Sequence, residues 1–157
     1  MVLKLKIEPI PSQNWGISLA KLLPKEVWDS LRREVYELSG YICSICGEED
    51  KRLHCHERWV YNDKRRVQKL AALECICVDC HDVKHWGRTS IVKPSEVVRL
   101  LLHFCTVNSS TKEEFEAHLK KVNAQVRRRS KLKYKVNFGK FSPEEVVRIW
   151  KSLRDQG

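Results

Sequence analysis

Cys43 and Cys46 stand three apart, as do Cys77 and Cys80, with thirty residues between the two pairs. Four thiolates in two such pairs can wrap opposite sides of one tetrahedral zinc and close the intervening chain into a loop. Imidazoles crowd the same region. Leu53-His54-Cys55-His56-Glu57 lies inside the loop, and His81 and His85 follow directly on the second pair. On a helix, His81 and His85 face the same way, being four residues apart. With the zinc holding that helix beside Cys55, His56 and Glu57, donors from both segments can converge on a second metal with open positions. A histidine not spent on that metal can draw a proton from water, because its unperturbed pKa lies near neutrality. The metal would polarise a phosphodiester and steady the leaving oxygen. A blander alternative stays open, in which His81 or His54 extends the zinc site or hydrogen-bonds locally.

The elements that must position these groups follow from pattern. Residues 1–23 read as an arm, broken by Pro9, Pro11 and Ser12-Gln13-Asn14-Trp15-Gly16. A helix opens at Pro24, carries Val27, Leu31, Val35 and Leu38 as an apolar stripe with Trp28 beside it, and ends at Gly40. Residues 51–62 read as extended, with Leu53, Cys55, Glu57 and Trp59 on one face and His54, His56 and Arg58 on the other. Asp63-Lys64-Arg65-Arg66 is a charged turn, and Val67 to Ile76 returns to the second cysteine pair. A helix from about Val78 through His85 ends at Gly87. Downstream, Ser95 caps a helix holding Val97, Val98, Leu101, Leu102 and Cys105. Ser110-Thr111-Lys112-Glu113 opens another that buries Phe115, Leu119, Val122 and Val126. Leu132, Tyr134, Val136 and Phe138 alternate as a short strand. Ser142-Pro143-Glu144-Glu145 starts a last helix with Val146, Val147, Ile149 and Trp150 buried. Cys75 and Cys105 read as buried thiols, and His103 and His118 as ordinary helix residues.

A chain of 157 residues is enough for one domain with a modest core. The central segment is polar, and small folds of that kind need a staple. The start, Met1-Val2-Leu3-Lys4-Leu5-Lys6-Ile7, has no signal-peptide pattern, and no stretch approaches the roughly 18–20 apolar residues of a membrane span. A cytoplasmic location follows as the expectation, where thiols stay reduced and paired cysteines favour zinc over disulfides. A formal net charge of +10 suits a polyanionic partner, nucleic acid first.

Taken together, Cys43-x-x-Cys46-Gly47, Cys55-His56-Glu57, Leu73, Cys77-x-x-Cys80-His81 and Lys84-His85 resemble the HNH endonucleases with a zinc-stabilised ββα-metal (treble-clef) core. The segment Cys55-His56-Glu57-Arg58-Trp59-Val60-Tyr61 is similar to that of a bacterial and phage group. Gln68-Lys69-Leu70, Val83-Lys84-His85-Trp86-Gly87, and the flank with Trp28 and Arg32-Arg33-Glu34 agree with it. The close match covers residues 24–88. The resemblance implies an α+β fold: a small ββα-metal (His-Me finger) core stapled by a four-cysteine zinc and flanked by N- and C-terminal helices. Its parts would be an arm at 1–23, the core with its preceding helix and knuckle at 24–88, and a mostly helical extension at 89–157. It implies a metal-dependent nuclease that nicks or cleaves DNA, with RNA not excluded, in the host cytoplasm if phage-encoded. His56 matches the general base that activates water. Cys55, His81 and His85 match the ligands of the catalytic ion, which would be Zn2+, Mg2+, Mn2+ or Ni2+. A thiolate there would favour a borderline metal over magnesium, and Glu57 or His54 would ligate instead if Cys55 packs inward. The slot of the family's central asparagine, which braces the loop and orients the base, falls at Ala72.

Lys64, Arg65 and Arg66 in the turn, and Arg127, Arg128 and Arg129 farther on, can neutralise phosphates and hold a duplex against the metal. The second run equally suits the end of a helix that begins with Glu113, Glu114 and Glu116, as the macrodipole prefers. A non-catalytic zinc-dependent nucleic-acid-binding module and an interaction protein on the same scaffold stand beside the nuclease, and a homodimer or protein partner is compatible with each.

Overall fold

The computed structural model describes residues 2–49 and 51–156; Met1, Asp50 and Gly157 lie outside the described residues. The architecture is α+β, in the order α1 (Leu19–Leu22), α2 (Lys25–Leu38), β1 (Leu53–Asn62), β2 (Val67–Cys77), α3 (Val78–Lys84), α4 (Trp86–Val92), α5 (Val97–Asn108), α6 (Lys112–Arg129), β3 (Lys135–Asn137) and α7 (Pro143–Asp155). β1 and β2 form an antiparallel hairpin, and β3 adds in parallel to β2, so β2 is central. Among the described residues no helix is long and apolar enough to cross a membrane.

Two apolar clusters form the core. One gathers Leu5, Ile7, Ile76, Val83, Trp86, Leu100, Phe104, Phe115 and Val122 around the cysteines. The other gathers Leu19, Leu23, Val27 and Leu70, with Trp28, Trp59, Phe138, Val146, Val147 and Trp150 against them. A bulge between Arg58 and Trp59 links the two. Ala72 pairs with Arg58 but Leu70 pairs with Trp59, so one residue of β2 is left over. That extra residue flips the side chains before it to the other face, which brings Leu70 into the second cluster.

The N-terminal stretch is woven into the body. Leu5 is fully buried, and the Asn108 side chain both accepts from its N–H (3.0 Å) and donates to its carbonyl (2.9 Å). His118 Nε2 accepts the Ile7 N–H at 3.1 Å. Apolar Leu5 and Ile7 are too few to form a regular element alone, and the side chains of α5 and α6 supply the pairing that a strand would have given.

Several expected boundaries shift. Gly87 does not end a helix: His85 is the hinge between α3 and α4, and Gly87 lies inside α4. Trp86 is buried against Phe115, with ring centres 4.8 Å apart, and this packing outweighs the low helix propensity of glycine. Ser95 sits in a 3-10 turn and caps nothing. α5 buries Leu100 and Phe104 and leaves Val98 and Leu102 exposed. Both rows are apolar, so its periodicity left the buried face open. The capping box of α6 lies one residue later than the sequence pattern places it, at Thr111 and Glu114. β3 is three residues long, and Ile149 on α7 is exposed.

Candidate functional site

The four cysteines come together at the base of the hairpin. Cys43 and Cys46 sit on a tight turn, closed by Gly47 N–H donating to the Cys43 carbonyl at 2.9 Å. Gly47 has φ +78°, a conformation that side chains with a Cβ resist. Ser44 N–H donates to the Cys75 carbonyl at 2.9 Å and joins the turn to β2. Cys77 ends β2 and caps α3, its sulfur accepting the Cys80 N–H. Ligand atoms of all four lie within 4.8 Å of one another. Cys46 Sγ and Cys77 Sγ are 3.6 Å apart, and sulfurs on one tetrahedral zinc would be about 3.8 Å apart. The thiols compete for protons. Hydrogen bonds from Cys77 and Cys80 drive Cys43 far below the usual thiol range. Burial pushes Cys46 up to about 12, and bonding to Cys43 and Cys77 raises Cys80. A bound divalent cation is what lets all four ionise together. The set is suited to a structural zinc.

α3 starts from that cluster, so the cysteines fix its position on the hairpin. His81 and His85 project from it toward β1. The expected strand alternation holds here, since His54 and His56 meet them on one face. Ring centres lie 4.6 Å apart for His81 and His85, 5.1 Å for His56 and His85, and 5.6 Å for His56 and His81. Each of the three offers a ligand atom within 4.8 Å of the others. Imidazoles sharing one zinc at about 2.0–2.1 Å would put their ring centres about 5 Å apart, so the set fits an ion. Burial, with His85, His54 and His56 nearby, pushes His81 down to about 2. Burial and His56 push His85 down to about 4. Both are therefore neutral near pH 7, the form that binds metal. His54 stacks on His81 at 4.4 Å, and its buried Nε2 has no hydrogen-bond partner among the described residues.

Cys55 is not part of this group. Strand alternation turns it to the opposite face, where it pairs in register with Cys75 and lies near Tyr36 of α2. Burial pushes its thiol up to about 12, Glu57 and Cys75 adding to the effect. The expectation of a Cys55 ligand is corrected accordingly. Glu57 shares that face and accepts the Leu19 N–H at 2.7 Å, so it does not replace Cys55. Ala72 sits in the ladder opposite Arg58, and its methyl group can brace nothing.

The groups nearest the histidines were not legible as site residues. Glu8 Oε1 lies 2.9 Å from His56 Nε2 and accepts from Lys84 Nζ at 2.9 Å. Lys84 also lies 3.5 Å from Glu74, which pairs with Arg58 at 2.7 Å. Burial alone would raise the Glu8 carboxyl, but the hydrogen bonds and charges of His56 and Lys84 prevail and lower it to about 2. His103 is likewise more than a helix residue, its Nε2 lying 3.2 Å from Cys80 Sγ. No local motif marks Glu8 or His103. Lys84 alone stood in a recognisable run, between the two histidines.

Of the basic residues, Lys64, Arg65 and Arg66 are exposed at the hairpin turn, and Arg127 and Arg128 at the end of α6. Asp63 joins the two groups, binding Arg128 at 2.7 Å, Arg129 at 3.0 Å and the Tyr134 hydroxyl at 2.9 Å. Arg129 is only 8% exposed and lies over the Tyr61 ring, so it acts as a strut rather than a phosphate contact. No protein-family model, curated protein or solved structure matches the chain.

Proposed function

We propose that this chain is a metal-dependent endonuclease of the HNH type, hydrolysing phosphodiester bonds in DNA. The observation that carries the reading is the convergence of His56, His81 and His85 at the junction of β1 and α3. The hairpin-plus-helix order, with cysteines at the junction, is what a zinc-stapled ββα-metal core requires. His81 and His85 would hold the ion, which when bound supplies charge to polarise the phosphodiester and stabilise the leaving oxygen. His56 takes the proton of the attacking water at Nδ1, because Nε2 already faces Glu8. Lys64, Arg65 and Arg66 at the hairpin turn, with Arg127 and Arg128 at the end of α6, tied to the turn through Asp63, would hold phosphates without reading sequence.

The test is plasmid nicking with a panel of divalent ions. His56→Ala should abolish nicking while leaving DNA affinity and bound zinc unchanged. Normal cutting by that variant would refute the assignment. Ring spacing also favours a second reading, in which His56 is a third ligand. Titration of zinc-loaded His56→Ala with a second ion separates the two: the base assignment expects affinity to survive, and the ligand assignment expects it to collapse.

A further inference from the structure

We infer that Glu8 is the positioning residue for His56, holding it as the tautomer with the proton on Nε2 and a bare Nδ1. For its catalytic consequence the inference rests on the nuclease reading. The geometry stands apart from it.

Glu8 is placed by the chain on either side of it. Asn108 holds Leu5 through both main-chain groups, His118 holds the Ile7 N–H, and the Glu8 N–H donates to the Lys84 carbonyl at 2.9 Å. Three separate elements thus fix the backbone that carries this carboxylate. Its Oε1 lies 2.9 Å from both His56 Nε2 and Lys84 Nζ, with the Glu8 side chain 16% and the Lys84 side chain 9% exposed. A lysine ammonium can only donate. Beside that ammonium Glu8 is an ionised carboxylate, which has no proton to give, so Oε1 accepts from both neighbours and His56 must present N–H at Nε2. In a neutral imidazole the other nitrogen then carries only a lone pair. His56 itself is 3% exposed, so bulk solvent does not compete with Glu8 for Nε2. A merely structural ion pair between Glu8 and Lys84 would leave the His56 tautomer unconstrained.

The decisive measurement is long-range proton–nitrogen correlation NMR on zinc-loaded protein at mildly alkaline pH, before a second ion is added. The expected result is Nε2-protonated His56 in the wild type, retained in Glu8→Gln, whose amide oxygen still accepts, and lost to a tautomer mixture in Glu8→Ala. A wild-type His56 protonated on Nδ1 would overturn the proposal whether or not any variant folds. In nicking assays, Glu8→Ala should lower kcat by roughly a hundredfold, within the range of general-base catalysis, with KM for DNA unchanged and Glu8→Gln restoring most of the rate. An unaltered kcat in Glu8→Ala would equally overturn it. A wild type that shows the expected tautomer but nicks with no ion tested would sink the nuclease reading and leave the Glu8 assignment standing.

Discussion

His103 Nε2 lies 3.2 Å from Cys80 Sγ, so an imidazole on α5 touches the sulfur from which α3 is hung. The contact ties the cysteine cluster to the core, since Phe104, the next residue on α5, is fully buried among its apolar members. Partners of this kind typically change metal affinity about 10–100-fold when removed. His103→Ala should lose zinc to a chromophoric chelator correspondingly more readily while remaining folded at saturating zinc. Equal zinc retention would assign His103 to packing alone.

Zinc removal should unfold more than the knuckle. The cluster joins the turn at Cys43 and Cys46 to the β2–α3 junction, and buried Ile76 and Val83 flank that junction. Ligation in small sites contributes folding free energy outright. Cys77→Ser, or chelation, should abolish cooperative thermal unfolding monitored by far-UV circular dichroism. A sharp unfolding transition in fully zinc-free protein would contradict this.

Cys55→Ala should leave the four-cysteine and three-histidine clusters intact. Its thiol faces away from His56, and removing one partly buried sulfur costs about 1 kcal/mol or less by cavity reasoning. Second-ion affinity measured by calorimetry should match the wild type. A tenfold loss would restore Cys55 as a ligand.

Acid should destabilise the fold from about pH 6.5 downward, near the ordinary histidine pKa. Below it an unfolded chain takes up protons at His81 and His85, whereas the folded chain resists doing so until about 4 for His85 and about 2 for His81. Stability is thus complete above the unfolded value and erodes as pH falls toward the folded values. Glu8 acts in the same direction between its ordinary 4.5 and about 2. Urea midpoints measured from pH 7.5 to 4 should decline, and His85→Phe should flatten part of that slope. A flat profile would show that the folded chain does not hold these imidazoles below their ordinary pKa.

The basic residues should separate by function. Arg65→Ala or Arg66→Ala should weaken binding to all DNA sequences alike and lower the salt slope by about one. Arg129→Ala should instead cost about 1–3 kcal/mol of stability, because it leaves Asp63 short of a charged partner. A denaturation curve and a salt titration on each variant distinguish the two outcomes.

Much of this molecule is decided by local chemistry that a sequence displays. Paired cysteines declare a metal cluster, alternation sets His54 and His56 apart from Cys55, and a four-residue interval aligns His81 with His85. Those features depend on neighbours along the chain and on fixed periods of 2 and 3.6. Which alternating face of β1 would turn toward α3 was not settled locally, because cysteine, histidine and glutamate all ligate metals. The tertiary structure chose the histidine face by hanging α3 on that side. It also brought Glu8 to His56 across 48 residues, His103 to Cys80 across 23, and Asp63 to Arg129 across 66. Such pairings leave no periodic trace. They arise because burying a carboxylate, an imidazole or a guanidinium requires a partner, and only the folded chain determines which one is within reach.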